Sequence, residues 1–180
     1  AEEWAEDVAA FLELARPDSN PHLHVFDEPP FPEHPDAFER SCDRIAVLST
    51  LGEASRSSNV RGNENTLLVA ATPESILAPC PTMEAYGESE LTIQPGGRLP
   101  FRQFADELAV RFDYSSEILC EAPAQFAVRG GLIDVYPANG EFPVRIDFFG
   151  DEVEELRSFD PTTQRTSGKL ESVTIASAGQ

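Results

Sequence analysis

Residues 125–159 read QFAVRGGLIDVYPANGEFPVRIDFFGDEVEELRSF, and strand follows strand through this stretch with hardly a gap. Asn139-Gly140 separates two apolar runs, a strong short-range signal for a β-hairpin. Gly150-Asp151 marks a second tight turn, between FPVRIDFF and EVEELRSF, and Asp160-Pro161 starts the turn that ends the third strand. Successive strand residues face opposite sides of a sheet. Val144, Ile146 and Phe148 therefore form one stripe, already complete as a core side, and Arg145, Asp147 and Phe149 form the other. In the strand before the double glycine, Phe126 and Val128 take the core side, and Ala127 and Arg129 the opposite one. Phe149 is thus a large aromatic on a polar face that also carries Arg129 and Arg145, and such residue types dominate binding hot spots. Two readings are open. The face is an interaction surface, or Arg129 and Arg145 only pair with Asp134 or Asp147 while Phe149 tucks under a helix.

Working outward, residues 100–112 carry Phe101, Phe104, Leu108 and Val110 at amphipathic helical spacing. Residues 90–94, 117–121 and 170–176 read as strands, and Pro95-Gly96-Gly97 as a turn. Runs of strands with one helix indicate an α+β domain with a mainly antiparallel sheet. Upstream the character differs. Residues 2–14 place Trp4, Val8, Phe11 and Leu12 on one helical face, and residues 22–26 form a short strand. A proline-dense segment over 29–35 is followed by Asp36 and Glu39, a weak capping pattern that opens a helix ending at Gly52. Its buried face is expected to be Phe38, Cys42, Ile45 and Leu48. Residues 53–64 read as a polar loop, TLLVAA at 66–71 as a strand of a parallel sheet, and Thr72-Pro73-Glu74 as a helix start. The fold expectation is an α/β half over 1–84, part of a larger sheet, followed by an α+β domain over 85–180.

Composition narrows the function. The 180 residues carry a net charge of −19, from 32 acids and 13 bases, which repels a phosphate backbone and opposes nucleic-acid binding. No apolar run is long enough to span a bilayer, and no basic segment leading into an apolar one opens the chain, so neither membrane insertion nor secretion is expected. Cys42, Cys80 and Cys120 are scattered, odd in number and without a C-x-x-C pair, which fits a reducing cytoplasm. With Ala1 first and Met83 the only methionine, the chain reads as a piece of a longer protein.

The motifs of catalysis are missing. Ser167-Gly168-Lys169 has Thr163 where a phosphate loop needs its first glycine and Leu170 where it needs a hydroxyl, so no nucleotide site is expected. There is no Gly-x-Gly-x-x-Gly after a strand and no Gly-x-Ser-x-Gly. His22 and His24 share a strand face and His34 follows, but no second ligand cluster accompanies them, so no metal is expected. We expect no cofactor and no catalysis by this chain.

FAVRGGLIDVYP at 126–137, then FPVRIDFFGDEVEELRSFDPTTQR at 142–165, resembles the UvrB-like module of bacterial transcription-repair coupling factors. FDEPPFPEHPDAFERSCDRIAVLSTL and LLVAATPESIL resemble that family's upstream half, so the likeness covers nearly the whole chain. It implies a partial RecA-like layer without a phosphate loop, then a domain that docks on UvrA, the damage-sensing ATPase of nucleotide excision repair. The family's UvrA-contacting positions fall on Arg129, Arg145 and Phe149, the same residues that strand alternation puts on the outer face. Ala127 stands where UvrB has a further arginine, which favours a coupling factor. RNA polymerase and DNA would be met by domains outside this chain, which itself is expected to be a cytoplasmic monomer. The alternative is part of a UvrB-type helicase that handles damaged DNA directly.

Overall fold

The computed structural model describes residues 8, 10, 22–26, 37–56, 67–80 and 82–179, and the chain divides into two compact units, Ala1–Cys80 and Pro81–Gln180. In the first, β1 (His22–Phe26) and β2 (Leu67–Ala71) pair in parallel, His22 opposite Leu67 through Phe26 opposite Ala71. A parallel pair needs a crossover, and helix α1 (Ala37–Arg56) lies within it. Thr72 caps the short helix α2 (Pro73–Leu77) through its side chain, with proline at the first position, as the Thr-Pro-Glu signal indicates. Among the described residues the parallel sheet has these two strands.

Several expectations for this unit change. Phe38 is 51% exposed, whereas Arg44, Val47 and Ser49 join Cys42 and Ile45 as buried positions. Arg44 can be buried because its guanidinium lies over the Phe26 ring at 4.0 Å and donates to Cys80 Sγ at 3.3 Å. The helix does not stop at Gly52, which is itself buried, but runs on to Arg56 into the expected loop. The expected helix over 2–14, apart from helical Val8 and Ala10, the proline-dense segment, the Asp36 cap and His34 lie outside the described residues.

The second unit contains α3 (Met83–Glu88), β3 (Glu90–Ile93), α4 (Phe101–Val110), β4 (Ser115–Ser116), β5 (Gln125–Arg129), β6 (Leu132–Tyr136), β7 (Val144–Phe149), β8 (Glu152–Phe159), β9 (Thr166–Lys169) and β10 (Val173–Ala176). Strands β4 to β9 form a six-stranded sheet in sequence order, antiparallel except for the β4–β5 pair, and β3 pairs antiparallel with β10. Of the expected turns, Gly150 lies between β7 and β8 with φ of +66°, a value that a residue with a Cβ rarely takes, as does Gly130 between β5 and β6 at +59°; Asn139-Gly140 instead ends a turn in the longer β6–β7 connection, where Gly140 N donates to Pro137 O at 3.1 Å.

One sheet face is the core. Phe126, Ile133, Val135, Val144, Ile146, Val153 and Leu156 are all buried. Helix α4 covers this face with Phe104 and Leu108, and Phe148 meets Phe101 edge-on at a centroid distance of 5.1 Å. Val110, expected among the apolar contacts of α4, is 87% exposed. Two residues beyond Leu108 it is turned roughly 200° around the helix axis, away from the sheet. The strand expected over 117–121 is a loop. Gln125 Oε1 accepts from both Glu121 N and Ala122 N at 3.0 Å, so a side chain takes donors that a ladder would have used. Strands β9 and helix α3 were not anticipated, and the last strand begins at Val173. Among the described residues no helix is long and apolar enough to cross a membrane.

Candidate protein interface

The register assigns the outer face of the six-stranded sheet row by row. Arg129 lies opposite Leu132, and Leu132 opposite Asp147; in the next row Ala127 lies opposite Asp134, Asp134 opposite Arg145, and Arg145 opposite Arg157. Arg129, Arg145 and Phe149 therefore belong to one face, on β5 and β7. Their surroundings differ sharply.

Phe149 is the last residue of β7, just before the Gly150 turn, and is 80% exposed. Its neighbour Phe148 points the other way, into the contact with α4. A register irregularity between Asp147 and Phe148 accompanies this change at the strand end. The exposed ring borders a shallow notch with Gly96, Glu152 and Val153. Nothing in the fold requires an aromatic there, since the ring does not tuck under a helix.

Arg129 ends β5 and is exposed, and its Nη2 donates to Ile118 O at 3.0 Å. The contact holds the guanidinium against the 117–121 loop, where Ile118 is 87% exposed. The acceptor is a neutral carbonyl, and among the described residues no carboxylate pairs with Arg129.

Arg145 is held far more tightly. Its Nε donates to Asp134 Oδ1 at 2.7 Å and its Nη2 to Oδ2 at 2.8 Å, a two-pronged pair in which Asp134 is 1% exposed and the arginine side chain 16%. The hydrogen bond to Asp134 raises the Arg145 pKa above its ordinary value, against the opposing effect of burial. The guanidinium also lies over the Phe159 ring, 4.9 Å from its centroid. Internal pairing thus holds for Arg145, as one reading of the sequence anticipated.

Two further features of this face were missed in the sequence. Arg157 pairs with Asp147 and lies 3.3 Å from Glu155, which in turn pairs with Lys169. The alternation of EVEELRSF puts Glu155, Arg157 and Phe159 on one side and could have exposed this ladder. Beside it, Cys120, Ala127 and Phe159 form a small buried cluster with Tyr136 packed on its edge. Ala127 is therefore buried on the supposedly open side, while Val128, expected in the core, is 44% exposed. The cause is the length of β4: it pairs only with Gln125 and Phe126, so the far half of β5 is a sheet edge.

Burial, and next the Asp134 charge, push the Cys120 thiol up to about 12, so it is neither a nucleophile nor a ready metal ligand. Among the described residues no group of three or more His, Cys, Asp or Glu could hold a metal ion.

Known sequences share this domain. The family model for the UvrB interaction domain matches residues 91–180, half of the chain. The transcription-repair-coupling factor of Bacillus subtilis (strain 168) is 37% identical over 111 residues, 62% of this chain and 9% of that protein. That of Staphylococcus haemolyticus (strain JCSC1435) is 36% identical over 95 residues, 53% of this chain and 8% of its own. That of Staphylococcus aureus (strain bovine RF122 / ET3-1) is 34% identical over 97 residues, 54% of this chain and 8% of its own. The chain thus matches less than a tenth of the length of these relatives.

Proposed function

Because the chain belongs to the UvrB interaction domain family, we propose that it is a non-catalytic docking module that binds UvrA through the outer sheet face bearing Arg129, Arg145 and Phe149. In a coupling factor such a module recruits UvrA, so that a stalled RNA polymerase is linked to nucleotide excision repair; the polymerase contact and the DNA translocation belong to other parts of that protein. The upstream unit we read as a partial RecA-like layer that has lost its phosphate loop, a reading supported by its parallel strand pair spanned by a helix.

The observation that carries the proposal is the Phe149 ring. An 80% exposed aromatic adds no packing to the domain, and its place on the same sheet face as Arg129 and Arg145 supports a partner that covers it. The flanking arginines supply the charged rim of such a contact, and the −19 charge of the chain favours a protein partner over nucleic acid. The test is direct binding of purified UvrA to the chain and to Arg129→Ala, Arg145→Ala and Phe149→Ala variants. Phe149→Ala is expected to weaken binding by about 2 kcal/mol, roughly thirtyfold. Equal affinity across the series and the parent chain would sink the proposal.

A further inference from the structure

Asp134 is the least exposed charged residue on the docking sheet, at 1%, and both of its oxygens are taken by Arg145. Burying a carboxylate is expensive, and a buried ion pair is often no more stabilising than an apolar pair of the same volume. The surroundings would accept such a pair, since Ala127, Cys120 and Phe159 beside it are buried and fully apolar or nearly so. Sheet stability therefore does not account for the acid.

The geometry gives it a different task. A guanidinium has five N–H donors, and Asp134 takes one on Nε and one on Nη2. The guanidinium carbon lies over the Phe159 ring, 4.9 Å from its centroid. Carboxylate and ring together hold the group, which leaves the remaining N–H donors, including both on Nη1, for other acceptors, and the arginine side chain is 16% exposed. Arg145 also has a competing choice. Asp147 lies two residues along the same strand on the same face, where it already holds Arg157, and Arg157 is directly opposite Arg145. Without the Asp134 charge, Arg145 would turn towards Asp147 and crowd a second arginine.

Resting on the docking reading above, we propose that Asp134 is a positioning residue for partner recognition: it selects the orientation in which Arg145 offers its free N–H edge to a carboxylate side chain of the docked protein. A planar fork held in this way recognises a carboxylate by two parallel hydrogen bonds, which an ammonium group cannot reproduce.

The experiment measures the affinity of purified UvrA for variants of the 180-residue chain by calorimetry, with a thermal melt of each. Asp134→Asn is expected to bind on the order of tenfold more weakly, the scale of a charge-assisted hydrogen bond lost through misplacement. Asp134→Asn/Arg145→Ala is expected to bind no more weakly than Arg145→Ala alone, because the acid acts only through the arginine. A merely structural acid would weaken both backgrounds equally, and that additivity overturns the proposal, as does wild-type affinity for Asp134→Asn. Should Asp134→Asn fail to fold, Arg145→Lys decides: it keeps a cation beside Asp134 but removes the fork. Affinity as low as that of Arg145→Ala supports the proposal, and affinity within about twofold of wild type overturns it. If Arg145→Ala and Phe149→Ala both bind normally, it is the docking reading that has failed.

Discussion

Phe148 and Phe149 are consecutive residues of one strand with opposite fates, and they typify the two faces of the six-stranded sheet. Phe148 enters an apolar face closed by α4, where Phe101 and Phe104 meet its ring. Phe149 stands in solvent on a face whose order comes from charge: Asp134 with Arg145, Asp147 with Arg157, Glu155 with Lys169. The inner face gains its free energy from area removed from water, which is non-directional and large. The outer face gains little stability from its solvent-open pair of Glu155 with Lys169, and desolvation offsets the gain from its buried pair of Asp134 with Arg145, but each pair fixes where a side chain points. One face holds the domain together, and the other carries the ordered charges and the exposed ring.

That division can be broken at either face. The largest effect belongs to the inner one. Leu156 is fully buried opposite Ile146, so Leu156→Ala is expected to destabilise the domain by about 2–5 kcal/mol. Denaturant unfolding measures it, with the slope unchanged if the native state keeps its compactness. The affinity of the protein that remains folded for UvrA should not change. A large loss of affinity at full folding would mean that the two faces are not independent.

The next effect sharpens the contrast. Phe149→Ala removes an 80% exposed ring, so stability should stay within about 0.5 kcal/mol of the parent. The same substitution carries the thirtyfold loss of binding proposed above. A variant that melts several degrees lower would show that the ring packs against something within the domain.

The same contrast explains how much of the molecule could be read from its sequence. Core alternation in VRIDFF, the Gly150-Asp151 turn and the Thr72-Pro73 helix start depend on neighbours along the chain, and the structure reproduces each; Asn139-Gly140 does separate two antiparallel strands, but within a longer connection over 137–143. Strand β9 leaves no signal in the sequence because Thr166, Ser167, Gly168 and Lys169 are all exposed at a sheet edge and carry no apolar period. The 117–121 loop leaves none because a single side chain, Gln125, caps its backbone. At the candidate site, alternation put Arg129, Arg145 and Phe149 on one side. It could not choose between Asp134 and Asp147 as the partner of Arg145, since both lie on that side and only cross-strand register separates them. Burial of Ala127 was likewise invisible, because it depends on Cys120, in the loop before β5, and Phe159, at the end of β8.

The smallest expected effect tests a hydrogen-bonded carboxylate at the turn that follows β8. The Asp160 carboxylate accepts from Thr163 N at 2.6 Å and from Thr163 Oγ1 at 2.9 Å. The backbone hydrogen bond from Thr163, and then that from its hydroxyl, hold the Asp160 pKa below its ordinary value. A carboxyl group with a lowered folded-state pKa contributes stability that is present above its unfolded pKa, about 3.9, and lost as pH falls through the folded value. Glu155 behaves in the same direction, through its hydrogen bond with Lys169 first. Melting temperature should therefore decline on the acid side of about pH 4, and Asp160→Asn should flatten part of that decline while lowering stability slightly at neutral pH. Because Leu156 is buried and lies opposite the uncharged Ile146, Leu156→Ala should shift the whole profile down without changing its acid slope. An unchanged slope in Asp160→Asn would place the acid sensitivity elsewhere and remove the turn from the electrostatic account of the outer face.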